Sequence, residues 1–166
     1  IRTELGVKTF FNMLGPMVNP LQPKSQLIGV FNSQIFRLYS HIYNKTDKNY
    51  CIVYGIDGYD EISLTGPFKL YSNTYDVMLE AKDLKLNPVS PKSLVGGKNI
   101  KDSARIFLNI LKNKSTKEQM DVVLANAGVA IYCAKNLHSI EDGILIAKDS
   151  IESGNAYKSF KSLMDI

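Results

Sequence analysis

The chain has 166 residues, enough for one domain with a real hydrophobic core. Its apolar fraction of 45%, charged fraction of 22% and net charge of +4 describe an ordinary globular protein. Lysines and arginines are interspersed with acids, so no basic block points to nucleic acid, and no apolar stretch has membrane-spanning length or reads as a signal peptide.

The first stretch, "TFFNMLGPMVNPLQP", is too dense in proline for a long helix and reads as a short helical turn followed by an ordered loop. "QLIGVF" is a short apolar run and predicts a buried strand. A helix should follow, with Ser33 as its cap and Ile35, Phe36, Leu38, Tyr39, Ile42 and Tyr43 at helical spacing. "YCIVYG" predicts a second buried strand, which completes a parallel βαβ unit. "FKLYSNTYDVMLEA" has two strand-like runs about Ser72-Asn73-Thr74 and predicts an antiparallel hairpin.

"LNPVSPKSLVGG" reads as a loop, and everything from Asn99 onward as helix. Asn99 or Asp102, then Ser115 or Thr116, then Ser139 with Asp142 three residues on, are the cap candidates; a last helix starts at Asn155. The expected fold class is therefore α/β: a layered, mostly parallel sheet with an antiparallel hairpin and a helical C-terminal run. Cys51 and Cys133 lie in apolar surroundings with no CxxC spacing, which predicts reduced core thiols and a cytoplasmic protein. His41 and His138 have no metal-ligand partner at a recognisable spacing and read as structural. "VGGKN" at 95–99 lacks the phosphate-loop pattern and reads as a turn.

The stretch that carries chemistry is "CIVYGIDGYDEISLTGP", residues 51–67, where a buried strand empties into two glycines and three carboxylates. In an extended strand Asp60 and Glu61 would point to opposite faces; in a glycine-rich loop both can turn the same way. Hard oxygen donors at the carboxyl end of a parallel strand suit Mg²⁺, which keeps waters and bridges carboxylates to substrate phosphates. The residues alone leave a second reading open, in which Asp57-Gly58 makes a turn and the other acids are solvated.

The order of motifs carries more than any one of them. "RTELGVKTFFNMLGPMVNP", "QLIGVF" and "VYGIDGYDEISLTGP", continuing through "LVGGKNIKDSARIFLNIL" and "VVLANAGVAIYCA" to "AKDSIESGNA", resemble the C-terminal half of the anthranilate phosphoribosyltransferases. That resemblance implies the large domain of the nucleoside phosphorylase/phosphoribosyltransferase fold. It also implies transfer of phosphoribose from phosphoribosyl pyrophosphate to anthranilate in tryptophan biosynthesis, and a homodimer formed through a helical domain.

By the same resemblance, Asp60 and Glu61 hold Mg²⁺, Arg2 contacts the anthranilate carboxylate, and Gly15 and Pro16 line the anthranilate path. Lys8 replaces the arginine more usual at its position. The "GTGGD" pyrophosphate loop, the "KHGNR"-type segment and the N-terminal helical domain have no counterpart in residues 1–166. The chain, which starts at Ile1, thus reads as a C-terminal part of the α/β domain of a longer enzyme, nearly inert alone. The rival expectations are a pyrimidine nucleoside phosphorylase, which needs no paired acids, and a nucleic-acid-binding relative, which needs a basic groove.

Overall fold

The computed structural model describes residues 15–165. Among the described residues the order of elements begins with strand β1 (Ser25–Gly29), helix α1 (Ser33–Tyr43) and strand β2 (Asn49–Gly55). β1 and β2 run parallel with Leu27 opposite Cys51 and Gly29 opposite Val53, so the predicted βαβ unit is present. Asn32, not Ser33, caps α1: its side-chain oxygen accepts the Ile35 N–H at 2.8 Å. Both residue types cap well, and the correction is one residue.

β3 (Phe68–Ser72) and β4 (Asp76–Leu79) form the predicted hairpin, closed by the Ser72 N–H on the Tyr75 carbonyl at 2.8 Å. β2 and β3 also pair antiparallel, so the sheet has the order β1-β2-β3-β4. The expected mostly parallel sheet is thus corrected to a mixed one among the described residues. The long connection after β2 folds back on itself, so β3 returns beside β2 with no crossover helix between them.

Short 3₁₀ turns at Ala81–Leu84 and Pro91–Leu94 lead into helices α2 (Ile100–Leu111), α3 (Lys117–Lys135), α4 (Ile140–Glu152) and α5 (Asn155–Met164). Asn99, Thr116 and Ser139 cap α2, α3 and α4, and Gln119 completes a capping box with Thr116. Gly97 packs against the first turn of α2, so "VGGKN" is a turn leading into a capped helix. No described helix is long and apolar enough to cross a membrane.

Alternation along β2 sorts the core into two layers. Tyr50 and Ile52 face α1 and join Ile28, Phe36, Tyr39 and Tyr43. Cys51 and Val53 face the other way and join Phe68 and Leu70 of β3 with Leu124, Ala125 and Val129 of α3. Helix α3 is buried between the sheet on one side and α4 on the other, and it meets α4 where Gly128 and Gly143 bring the backbones together. Cys51 and Cys133 are free and buried, and the Cys133 thiol donates to the Gln26 carbonyl at 3.5 Å, tying α3 to β1. α2 and α5 bury no residue completely; Phe107 and Phe160 join them edge to face at 5.1 Å.

Candidate functional site: an acidic loop at the carboxyl edge of the sheet

The loop from Ile56 to Pro67 leaves the carboxyl end of β2, beside the end of its parallel partner β1. Ligands of open α/β sheets bind at such edges. Its base is closed by the Ile56 N–H on the Pro67 carbonyl at 3.0 Å. A tight reversal follows, in which the Gly58 N–H donates to Gly55 and the Gly55 N–H donates to Tyr59, both at 2.9 Å. Gly58 has φ +96°, a conformation that glycine adopts without cost.

The three carboxylates of the loop are not equivalent. Asp57 is used inside the loop: its Oδ2 accepts from the Thr65 hydroxyl and from the Ser63 hydroxyl at 3.4 Å, and those two hydroxyls lie 2.7 Å apart. Asp60 and Glu61 are exposed side by side, and neither makes a hydrogen bond or ion pair with another described residue. The turn reading therefore fits Asp57, and it leaves the adjacent pair unexplained.

Two contacts fix the pair. Ahead of it, β1 ends at Gly29, where an added Cβ would stand 1.6 Å from the Asp60 carbonyl oxygen. Behind it, Ile62 enters the core fully buried, and the Asn126 side chain of α3 bonds both its backbone groups. Leu64, at φ +58°, continues inward and its carbonyl accepts the Val89 N–H at 2.9 Å. The acids thus ride on a short exposed arch between two buried attachments.

As a metal site the arch is incomplete on its own. Among the described residues no group of three or more His, Cys, Asp or Glu side chains is arranged to hold a metal ion. Two exposed carboxylates without a third protein ligand do not make a structural cage. They fit a hard ion that takes its other oxygens from water and phosphate, which is how Mg²⁺ is usually held.

The other sequence-predicted positions lie elsewhere. Arg2 and Lys8 fall outside the described residues. Gly15 is exposed, and the Pro16 carbonyl accepts from the Gln26 side chain and from the Tyr43 hydroxyl at 3.2 Å. Tyr43 closes α1 and its ring lies tilted against that of Tyr50 at the start of β2, with centroids 5.6 Å apart, so Gly15-Pro16 is anchored toward the amino end of the strands. The acidic arch is at their carboxyl end, about 13 Å further along for the five residues of β1. Sequence reasoning missed Gly29 and Asn126; the only signal for the second was one amide in the otherwise apolar run "VVLANAGVA".

Comparison with known proteins agrees with this architecture. The family model described as "Glycosyl transferase family, a/b domain" matches residues 1–157. The anthranilate phosphoribosyltransferase of Cytophaga hutchinsonii is 50% identical over 161 residues, covering 97% of this chain and 49% of that protein. Among solved structures, the yeast (Saccharomyces cerevisiae) anthranilate phosphoribosyltransferase in complex with PRPP and Mg superposes with a TM-score of 0.88 at 26% identity, covering 99% of this chain and 47% of the other. The same yeast enzyme in complex with 4-fluoroanthranilate gives a TM-score of 0.87 at 26% identity, covering 99% of this chain and 49% of the other. The chain spans about half the length of the curated relatives it matches.

Proposed function

This chain belongs to the glycosyl transferase family, a/b domain, and on that premise we propose that it supplies the C-terminal part of the α/β domain of an anthranilate phosphoribosyltransferase. On this reading the complete protein transfers phosphoribose from phosphoribosyl pyrophosphate to the amine of anthranilate, a step of tryptophan biosynthesis. The pyrophosphate loop and the helical domain come from the part of the protein outside residues 1–166. Support comes from the relatives' names and from the yeast complex with PRPP and Mg. The observation that carries the proposal is the exposed Asp60–Glu61 pair at the carboxyl edge of the β1–β2 unit, without a partner among the described residues.

The reaction breaks the bond between ribose C1 and pyrophosphate and forms a bond from C1 to the anthranilate nitrogen, which then loses a proton to water. Anthranilate's amine is already a nucleophile, so this half of the protein needs no strong general base. Its work is to hold the leaving group, orient the acceptor and keep both in register. Asp60 and Glu61 would hold Mg²⁺, and Mg²⁺ when bound neutralises charge on the departing pyrophosphate. Arg2 would grip the anthranilate carboxylate with its planar fork of donors. Gly15 and Pro16 would line the acceptor's path.

The same reading carries a cytoplasmic location, supported by two free buried thiols, and a homodimer formed through the helical domain. It gives nucleic acid no role. The test is an assay of the complete protein with anthranilate, phosphoribosyl pyrophosphate and Mg²⁺. Phosphoribosyl anthranilate should form, and formation should stop when a chelator removes the metal. Phosphorolysis of a pyrimidine nucleoside without transfer to anthranilate would overturn the proposal.

A further inference from the structure

The residue directly after the acidic pair is held in an unusual way. Ile62 is fully buried, so its backbone N–H and C=O must find partners inside the protein. Neither uses a strand or helix ladder. One side chain, Asn126, takes both: its Oδ1 accepts the Ile62 N–H at 3.0 Å, and its Nδ2 donates to the Ile62 carbonyl at 2.8 Å. The remaining amide hydrogen goes to the Val122 carbonyl, one turn back on α3, at 2.9 Å. Both donors of the amide are therefore committed, and its rotamer is fixed from its own helix.

We infer that Asn126 is a positioning residue for the acidic arch: it sets where Asp60 and Glu61 present their carboxylates to a metal–pyrophosphate ligand. The inference rests on the metal reading proposed above. Three observations carry it. The acids are adjacent, exposed and like-charged, so nothing between them holds them in one geometry. The clamp acts one residue beyond Glu61, where a shift of the backbone moves both carboxylates. And α3, buried between sheet and α4, is a rigid platform, whereas the arch itself is a loop. Gly29 fixes the other flank through the Asp60 carbonyl, so the clamp is one of two jaws.

No other side chain of similar size makes this set of bonds. Aspartate keeps an acceptor for the Ile62 N–H but sets a second oxygen against the Ile62 and Val122 carbonyls. Alanine leaves all three groups without the amide.

The test uses the complete protein and three variants: Asn126→Asp, Asn126→Ala, and the double substitution Asp60→Asn with Glu61→Gln. Mn²⁺ binding in the presence of inorganic pyrophosphate is read by electron paramagnetic resonance. The Mg²⁺ half-saturation of transfer and the KM for anthranilate are measured beside it. Loss of groups that orient metal ligands typically costs about 10- to 100-fold in metal affinity. Both Asn126 variants should therefore bind Mn²⁺ at least about tenfold more weakly and need correspondingly more Mg²⁺. Their KM for anthranilate should stay within about twofold of the unsubstituted protein, because the bonds the Asn126 side chain makes beyond its own helix go to Ile62, next to the acidic pair.

If the double acid variant loses metal while both Asn126 variants bind it normally, Asn126 is only a packing residue and the inference fails. If the double variant keeps normal metal binding, the metal reading itself fails and the inference falls with it. Amide hydrogen exchange of the unsubstituted protein covers the case of variants that do not fold. Protection at Ile62 should rise when Mg²⁺ and pyrophosphate are added together, and unchanged protection would contradict the coupling.

Discussion

Gly29 and Asp60 meet backbone to backbone: a Cβ built on Gly29 would stand 1.6 Å from the Asp60 carbonyl oxygen and 2.7 Å from its carbonyl carbon. Strand β1 therefore ends in a residue without a side chain because the acidic arch occupies the space. Neither partner is a flexible side-chain end that could swing aside. Gly29→Ala should push the arch away from β1, costing about 1–3 kcal/mol of stability as overpacked sites do. It should also weaken metal-dependent transfer. Urea denaturation and a Mg²⁺ titration of the same variant check both halves.

Gly143 offers a contrast far from the arch. Its Cβ would come 2.1 Å from the Gly128 carbonyl, where α4 crosses α3. Alanine is favoured over glycine inside a helix by about 1 kcal/mol, yet here the clash should dominate. Gly143→Ala should lower the thermal midpoint while leaving the KM for anthranilate and the Mg²⁺ requirement of the folded protein unchanged. A rise in stability would mean that the two helices can part without cost.

Much of this fold was legible in the sequence, for local reasons. The runs "QLIGVF" and "YCIVYG" are apolar on both faces because helices cover both sides of β1 and β2, and the residues flanking them mark their ends. The hairpin at Ser72–Asp76 and the caps Asn99, Thr116 and Ser139 are also local signals. The β2–β3 pairing was not legible: it joins segments across a 12-residue loop, and nothing in either run encodes the direction of its neighbour. The acidic loop stood out by composition, but composition cannot say that Asp57 is bound by Ser63 and Thr65 while the Asp60 and Glu61 side chains bond no other described residue. Asn126 lies 64 residues from its partner Ile62, beyond the reach of any local pattern.

Tyr50 gives a pH dependence with a definite sign. Burial first, and then the neighbouring Tyr71 and Cys51, push its hydroxyl up to about 12 from the usual 10.0. The folded protein therefore holds this proton more tightly than the unfolded chain does. The associated stability is fully present below pH 10 and is lost as pH rises toward 12. Tyr50→Phe cannot ionise there, so its stability should decline less steeply over that window. Denaturant midpoints at pH 9 and 11 for both proteins measure the difference, and parallel declines would contradict it.

On the proposed reading Arg2 grips the acceptor's carboxylate, and its removal should then leave a different kinetic mark from loss of the acids. Arg2→Ala should raise the KM for anthranilate with little change in Mg²⁺ dependence, since the group it binds is the acceptor's carboxylate. Initial rates over a range of anthranilate concentrations at saturating Mg²⁺ check this.

The central claim is that Asp60 and Glu61 are metal ligands, not turn residues, and replacing them together by Asn and Gln in the complete protein tests it most directly. The substitutions keep size and remove two charges from an exposed arch, so stability should change by no more than about 0.5 kcal/mol. Transfer should then be titrated with Mg²⁺ at fixed anthranilate, and with anthranilate at fixed Mg²⁺. The account predicts a raised Mg²⁺ requirement, a fall in turnover that excess Mg²⁺ only partly restores, and little change in the KM for anthranilate. An unaltered Mg²⁺ profile in a folded double variant would contradict it.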